Sequence, residues 1–123
     1  MPFEWSSYLV LAKQLSAQGT EEANRSAISR AYYATFCTGR NHLRTKGLMP
    51  PETGEAHRWV WDRFLGARRD CKNLGVCGDR LLRRRWKADY DDEVANLAKE
   101  TEQALLDADE FFSDLARFGE ACP

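Results

Sequence analysis

The sequence predicts an all-α fold, an up-and-down antiparallel bundle of four to five helices. Apolar residues recur at intervals of three and four over long stretches, which is the period of an α-helix. No stretch alternates apolar and polar residues long enough to indicate a strand. The four prolines, at positions 2, 50, 51 and 123, leave every long helical candidate intact. With 123 residues, 43% of them hydrophobic, we expect a single domain over 1–123.

The first two predicted helices meet at Gly19. Apolar spacing predicts a first helix over residues 3–17, which Gly19 would end. Thr20 suits the N-cap of a second helix that reaches residue 46. The apolar stripe of this second helix comprises Ile28, Ala31, Tyr32, Thr35, Phe36, Gly39 and Leu43. Its opposite face carries Ser26, Arg30, Tyr33, Cys37 and Asn41. The stretch AISRAYYATF thus points Tyr32 inward and Arg30 toward a second contact surface.

Three more helices are predicted after a loop at residues 47–53. The third spans residues 54–67, and its apolar row comprises Ala56, Val60 and Phe64, flanked by Trp59 and Trp61. The stretch RRDCKNLGVCGD, with Gly75 and Gly78, is predicted to be a loop. A short basic helix then covers residues 79–88, and a long helix covers residues 92–118. The predicted inner face of the last helix comprises Val94, Ala98, Thr101, Leu105, Ala108, Phe112 and Leu115.

The four cysteines form no recognisable framework. The pair in CKNLGVC has five intervening residues, whereas one arm of a zinc site usually has two to four. We therefore expect reduced thiols and neither a metal nor a cofactor. No apolar run reaches the roughly 18 residues that cross a bilayer, and the first residues lack the basic region of a secretion signal. The expectation is a soluble cytoplasmic protein without contact to membranes.

Charge is distributed unevenly along the chain, although the net charge is −1. Residues 58–87 contain ten Lys and Arg against three Asp and Glu, and residues 88–123 contain two against eleven. One interpretation is that a basic and an acidic helix lie side by side and neutralise each other. The other is that the basic segment faces an anionic partner such as RNA, a nucleotide or an acidic protein.

Four segments occur along the chain in the order SRAYYATF, EAHRWVWDRF, RWKADYDDEV and a closing acidic helix. Together they resemble the HEPN (higher eukaryotes and prokaryotes nucleotide-binding) domain superfamily. The likeness covers residues 20–118 and is greatest to the small, stand-alone bacterial and archaeal branch. The combination of SRAYYA with a downstream R-x-x-A-D-Y, here Arg85 to Tyr90, is fairly specific. The resemblance implies a bundle of four to five helices that often forms a homodimer.

The same resemblance implies two kinds of function. Many HEPN domains are metal-independent ribonucleases, while others are non-catalytic and are encoded beside a nucleotidyltransferase in a toxin–antitoxin or defence module. The ribonucleases have an arginine followed after four to six residues by a histidine. No arginine precedes His42 or His57 at that spacing, and Cys37 stands where this branch often has a histidine. The departure argues against ribonuclease activity.

Arg30 is the first candidate site residue. A buried arginine is costly unless a carboxylate neutralises it, and the family pattern suggests Asp89 as its partner. This pair would either fasten the end of the fourth helix to the second or leave Arg30 partly free as an anion site. Tyr33 and Tyr90 would lie near the pair, and we expect both to be packing residues more than catalysts.

Two histidines and a basic cluster complete the candidates. His57, at the start of the third helix, is either a structural hydrogen-bonding residue or an acid–base group, and His42 is expected to be packed. The cluster comprises Arg83, Arg84, Arg85 and Lys87. One of them, Arg85 by the family pattern, is expected to turn inward, and the others to be solvated or to contact phosphates. Tryptophans 59, 61 and 86 are expected in the core or at an interface, and stacking on a base is the alternative for Trp86.

These observations support three hypotheses. The first is a non-catalytic or weakly catalytic HEPN protein that dimerises and acts with a nucleotidyltransferase. The second is an RNA-cleaving toxin that uses Arg30, His57 and the basic fourth helix. The third is a helical protein-interaction module.

Overall fold

Five α-helices and a terminal 3-10 turn make up the chain in a computed structural model that describes residues 1–123. The helices are α1 (Ser7–Ser16), α2 (Glu21–Thr45), α3 (Ala56–Leu65), α4 (Arg69–Tyr90) and α5 (Leu97–Phe118), and the turn is Gly119–Ala121. There is no strand, so the predicted all-α bundle is confirmed. None of the helices combines the length and the apolar character that crossing a bilayer requires.

Helix α2 is the central element, because α1, α3, α4 and α5 all pack against it. It begins as predicted, with the Thr20 hydroxyl accepting a hydrogen bond from the Ala23 N–H at 3.2 Å. Every residue of the predicted apolar stripe is buried. Gly47, with a φ of +81°, follows the end of the helix, in a left-handed conformation that suits glycine.

Four aromatic side chains form the centre of the core. Trp61 and Phe64 of α3 contact Phe111 of α5, with ring centroids 5.9 Å and 6.4 Å apart. Tyr32 of α2 lies 6.3 Å from Trp61, and all four rings are fully buried. Of the two positions expected for Trp61, core or interface, the structure shows the core. Trp59 is only partly buried at the edge of this cluster.

The predicted loop over RRDCKNLGVCGD is wrong, because this stretch forms the first half of α4, a continuous helix of 22 residues. The two glycines that suggested a loop instead allow α4 to pack closely against α3. A Cβ on Gly75 would lie 2.7 Å from the Leu65 backbone nitrogen, and a Cβ on Gly78 would overlap the Trp61 ring. Both glycines are buried where α3 crosses α4. Their lack of a side chain lets the two helices approach each other.

Helix α5 starts five residues later than predicted, and its inner face is displaced. Val94 precedes the helix, and Asn96 adopts a left-handed conformation with φ of 56°. Ala98 is exposed, while Leu105, Phe112 and Leu115 are only partly buried. The buried residues are Thr101, Ala104, Asp107, Ala108 and Phe111. The prediction missed this displacement because it extended the helical repeat back to Asp92, through a segment that is not helical.

Ion pairs join the basic helix α4 to the acidic helix α5. Arg84 contacts Glu100 at 2.9 Å and Asp107 at 2.6 Å, and Arg80 lies 3.8 Å from Asp107. Burial raises the pKa of Asp107, and the positive charges of Arg84 and Arg80 oppose this effect. The interpretation that the basic and acidic segments neutralise each other is therefore confirmed for these residues.

A disulfide between Cys71 and Cys122 corrects the expectation that all the cysteines are thiols. It joins the start of α4 to the residue after the terminal turn, with Cα atoms 5.5 Å apart, within the range that a disulfide spans. Only Cys37 and Cys77 are free, and both are buried. The sequence separation of 51 residues gave no indication of this pairing, which depends on the tertiary fold.

Substituting Gly78 by alanine should destabilise the fold, since the added methyl group must displace the Trp61 ring. We expect a loss of about 1–3 kcal/mol in the free energy of unfolding, as for other overpacked cores. Urea unfolding followed by circular dichroism measures it. Gly54→Ala is the control, because a Cβ there meets nothing within 4 Å. Equal stability of the two variants would contradict the close contact between α3 and α4.

Removing the disulfide with the double substitution Cys71→Ala and Cys122→Ala should lower the free energy of unfolding by about 2–4 kcal/mol, because the unfolded chain regains conformational freedom. Urea unfolding of the wild type with and without a dithiol reductant should show a similar loss. The double variant should not respond to the reductant. A wild type with the same stability in both conditions would show that the bond is not formed.

Candidate functional site

Arg85 lies at the centre of a polar cluster between α2, α3 and α4. Its side chain is 13% exposed, and its Nε donates a hydrogen bond to Asp89 at 2.7 Å. A terminal nitrogen donates to the Tyr33 hydroxyl at 2.9 Å. The guanidinium also lies 5.1 Å from the Tyr33 ring centroid and 5.6 Å from that of Tyr90. The expected inward turn of Arg85 is thereby confirmed.

Arg30 has a different environment from the one expected. It forms no ion pair, and its guanidinium lies over the rings of Tyr8 and Tyr33, at 4.7 Å and 5.3 Å from their centroids. The predicted Arg30–Asp89 pair is therefore wrong. Asp89 instead pairs with Arg85, which stands four residues before it on the same helix and meets it without any tertiary constraint. Arg30 is half-exposed, so aromatic contacts and solvent replace the carboxylate.

His57 belongs to a hydrogen-bonded chain with two core residues. The Trp61 indole N–H donates to the Tyr32 hydroxyl oxygen at 3.2 Å, and this hydroxyl lies 2.7 Å from His57 Nδ1. The hydroxyl has one proton, and donating it to Nδ1 satisfies all three groups. Burial raises the pKa of the Tyr32 hydroxyl, which keeps that proton in place. In this arrangement a neutral His57 carries its proton on Nε2.

The surroundings of His57 favour the neutral imidazole. Its ring stacks on Phe36 with centroids 4.2 Å apart. Burial lowers the pKa of His57, and the positive charge of Arg85 lowers it further. Since Nδ1 accepts the Tyr32 proton, its lone pair is not available to take a proton from a substrate. His57 can still donate a hydrogen bond through Nε2.

The predicted site residues separate into two groups. The first group lies together in the fold and comprises Arg30, Tyr33, His57, Arg85 and Asp89. Tyr90 borders this group but is 70% exposed, so its expected packing role is wrong. The rest of the basic cluster lies outside. Arg83 pairs with Asp79 at 3.0 Å, Arg84 is neutralised by α5, and Lys87 is exposed. Trp86 is 46% exposed, and His42 stacks on Phe64 as expected.

Arg25 was missed in the sequence and holds the end of α4 in place. Its guanidinium donates to the carbonyl oxygens of Ala88, Asp91 and Asp92 at 3.0, 2.6 and 3.0 Å. It therefore makes the attachment of α4 to α2 that had been assigned to Arg30. The helical period did contain a signal, because Arg25 falls on the apolar side of α2, between the positions of Ile28 and Phe36.

The cluster borders a shallow groove of about 340 Å³. Its lining residues are Glu22, Arg25, Ser26, Ser29, Arg30, Ala88 and Asp89. The Ser29 hydroxyl lies 3.4 Å from Asp89. The largest groove of the protein, about 620 Å³, lies between the end of α3 and the C-terminal residues and shares none of these side chains.

The fold and the cluster define a small helical bundle with a partly buried arginine–aspartate–tyrosine network beside a histidine whose pKa is lowered by burial. The chain matches no protein-family model, no curated protein and no solved structure.

The substitution Arg85→Gln should raise the pKa of His57, because it removes the positive charge that disfavours the imidazolium. The pKa should stay below 6.5, since burial persists. Titration of the imidazole signals by NMR measures it, and Arg83→Gln is the control. A pKa of His57 that is unchanged in Arg85→Gln would contradict the proximity of the two groups.

The depressed pKa of His57 also affects the stability of the wild type. Because the unfolded chain binds the proton more readily than the folded chain, the free energy of unfolding should fall as the pH drops below 6.5.

Proposed function

We propose that this chain is a non-catalytic or weakly catalytic HEPN-type protein that acts, as a cytoplasmic homodimer, with a nucleotidyltransferase partner in a toxin–antitoxin or defence module. The proposal combines the sequence resemblance over residues 20–118 with the chemistry of the polar cluster. Exposed Trp86 and Tyr90, one turn apart on α4, offer an aromatic surface for self-association.

The hydrogen bond between the Tyr32 hydroxyl and His57 Nδ1 carries the non-catalytic part of this proposal. Cleavage of RNA without a metal needs a group that takes the proton of the attacking hydroxyl and a cation near the phosphate. In the cluster the histidine lone pair is occupied, and Asp89 neutralises the nearest arginine, Arg85. The remaining functions of such a cluster are hydrogen bonding to an anion and stabilising the fold.

A second candidate function, RNA cleavage, is favoured by one observation. Arg30 has no carboxylate partner, and its guanidinium lies over the Tyr33 ring that also borders His57, with the tyrosine and histidine centroids 6.2 Å apart. A phosphate bound at Arg30 would lie near the histidine. In this alternative His57 would act as an acid through its Nε2 proton, and another group would serve as the base.

Incubation of the purified protein with total RNA in a chelator tests both candidates. We expect no cleavage above background, and we expect the protein to co-purify with the nucleotidyltransferase encoded by an adjacent gene. If the protein is a ribonuclease, RNA should be cleaved, and Arg30→Ala or His57→Ala should lower the rate by roughly 10²–10⁴-fold.

Two matched substitutions control for effects on folding. Arg63→Ala removes an arginine that also lies over an aromatic ring without an ion pair, and His42→Ala removes the other histidine. Cleavage that is lost in the site variants and kept in these controls would overturn the non-catalytic proposal. Absence of both cleavage and the nucleotidyltransferase would leave the helical interaction module as the function.

A further inference from the structure

Three arginines of α2 lack carboxylate partners in a protein where most other arginines have them. Arg30, Arg40 and Arg44 form no ion pair. By contrast, the four arginines of the second half of α4 each contact an aspartate or glutamate. Of the six arginines without an ion pair, three therefore lie together on α2, while Arg63, Arg69 and Arg117 lie singly on α3, α4 and α5. The arginine cluster in the second half of α4 is neutralised within the chain.

The three side chains share one face of α2. At about 100° per residue they fall within an arc of about 80°, with Cys37 inside it. Burial raises the pKa of the Cys37 thiol, and the charges of Arg40, Arg30 and Arg44 oppose this effect, as expected if all three lie near it. With a rise of about 1.5 Å per residue, they span roughly 21 Å along the helix. We refer to Arg30, Arg40 and Arg44 as the arginine face.

Aromatic rings and one amide hold this face in position. Arg30 lies over Tyr8 and Tyr33, and Arg40 lies 5.7 Å from the centroid of Trp5. The Asn41 side-chain oxygen accepts hydrogen bonds from both Arg40 and Arg44, at 3.1 and 3.2 Å. The flat sides of two guanidinium groups are thus covered, while most of their N–H groups have no partner within the chain. Such groups are suited to in-plane binding of carboxylates or phosphates.

We propose that the arginine face is the docking site for an acidic, carboxylate-rich segment of a partner protein. This inference rests on the proposed function only in taking the partner to be a protein. Helix α2 has no acidic residue after Glu22, so nothing on this helix competes for the three guanidinium groups. An acidic segment supplies the missing charge, and its carboxylates can bind each guanidinium through two hydrogen bonds.

Two other occupants fit this face less well. A second copy of the chain docked through the same helix would bring two sets of three unpaired arginines together, and like charges at an interface are costly. Single-stranded nucleic acid binds proteins by stacking bases on aromatic rings. Here the rings of Tyr8, Tyr33 and Trp5 already have an arginine over one side. Charge and ring coverage together favour a protein partner.

Fluorescence anisotropy with a labelled peptide of about seven glutamates, long enough to span the face when extended, tests this proposal. The wild type should bind it with an affinity that falls as salt rises. Arg40→Glu combined with Arg44→Glu should weaken binding by about tenfold or more. Arg63→Glu combined with Arg69→Glu is the matched control, since both are unpaired arginines on other helices, and it should bind like the wild type.

Circular dichroism establishes that the variants are folded. If the double variant is not, Arg44→Glu alone replaces it, because Arg44 is exposed and its side chain forms one hydrogen bond, to Asn41. Equal loss of peptide binding in the control, or none in the α2 variants, would overturn the proposal. Tighter binding of oligouridine through the same arginines would overturn it in favour of a nucleic-acid surface. None of these outcomes depends on the RNA-cleavage assay or on co-purification, so the two proposals can fail separately.

Discussion

The position of Trp61 against Gly78 is the contact on which both the core and the polar cluster depend. Because Gly78 has no side chain, α3 lies close enough to α4 for the indole to reach the aromatic centre of the bundle. From there its N–H fixes the Tyr32 hydroxyl, and this hydroxyl fixes His57. A single packing constraint thus places the indole N–H, the Tyr32 hydroxyl and the half-buried His57 in one hydrogen-bonded chain.

The surface has arginines with acidic partners and arginines without them, a distinction that the net charge of −1 does not reveal. The arginines of α4 are mostly held by acids of α4 and α5, with Arg84 between Glu100 and Asp107 as the most enclosed case. The exposed pairs among them, such as Arg83 with Asp79, contribute little to stability, usually below about 1 kcal/mol each, but they remove charge from the surface. On α2, by contrast, the three arginines of the arginine face have no carboxylate partner, and aromatic rings contact two of them, Arg30 and Arg40.

Local signals in the sequence predicted the fold well, and contacts between distant segments escaped prediction. The cap at Thr20 and the apolar stripe of α2 depend on neighbours within a few residues, and both were found. Gly78 was misinterpreted because its role depends on Trp61 of another helix. In the site, the residues were correctly grouped, but Asp89 was paired wrongly, since the local partner Arg85 outcompetes Arg30. The disulfide and the role of Arg25 likewise required the tertiary structure.

The arginines of the SRAYYA and R-x-x-A-D-Y segments, Arg30 and Arg85, differ in burial and in pairing, and this difference determines which of them can bind a ligand. Arg85 is largely enclosed and donates a hydrogen bond to Tyr33, and Asp89 neutralises its charge within the fold. Arg30 lies over the ring of the same tyrosine, is half-buried and has no anionic partner. Removing the partner of a buried charge is costly, whereas a half-buried guanidinium without a carboxylate partner is free to bind an anionic ligand. Binding should therefore begin at Arg30 and extend along α2, away from the enclosed network around Arg85.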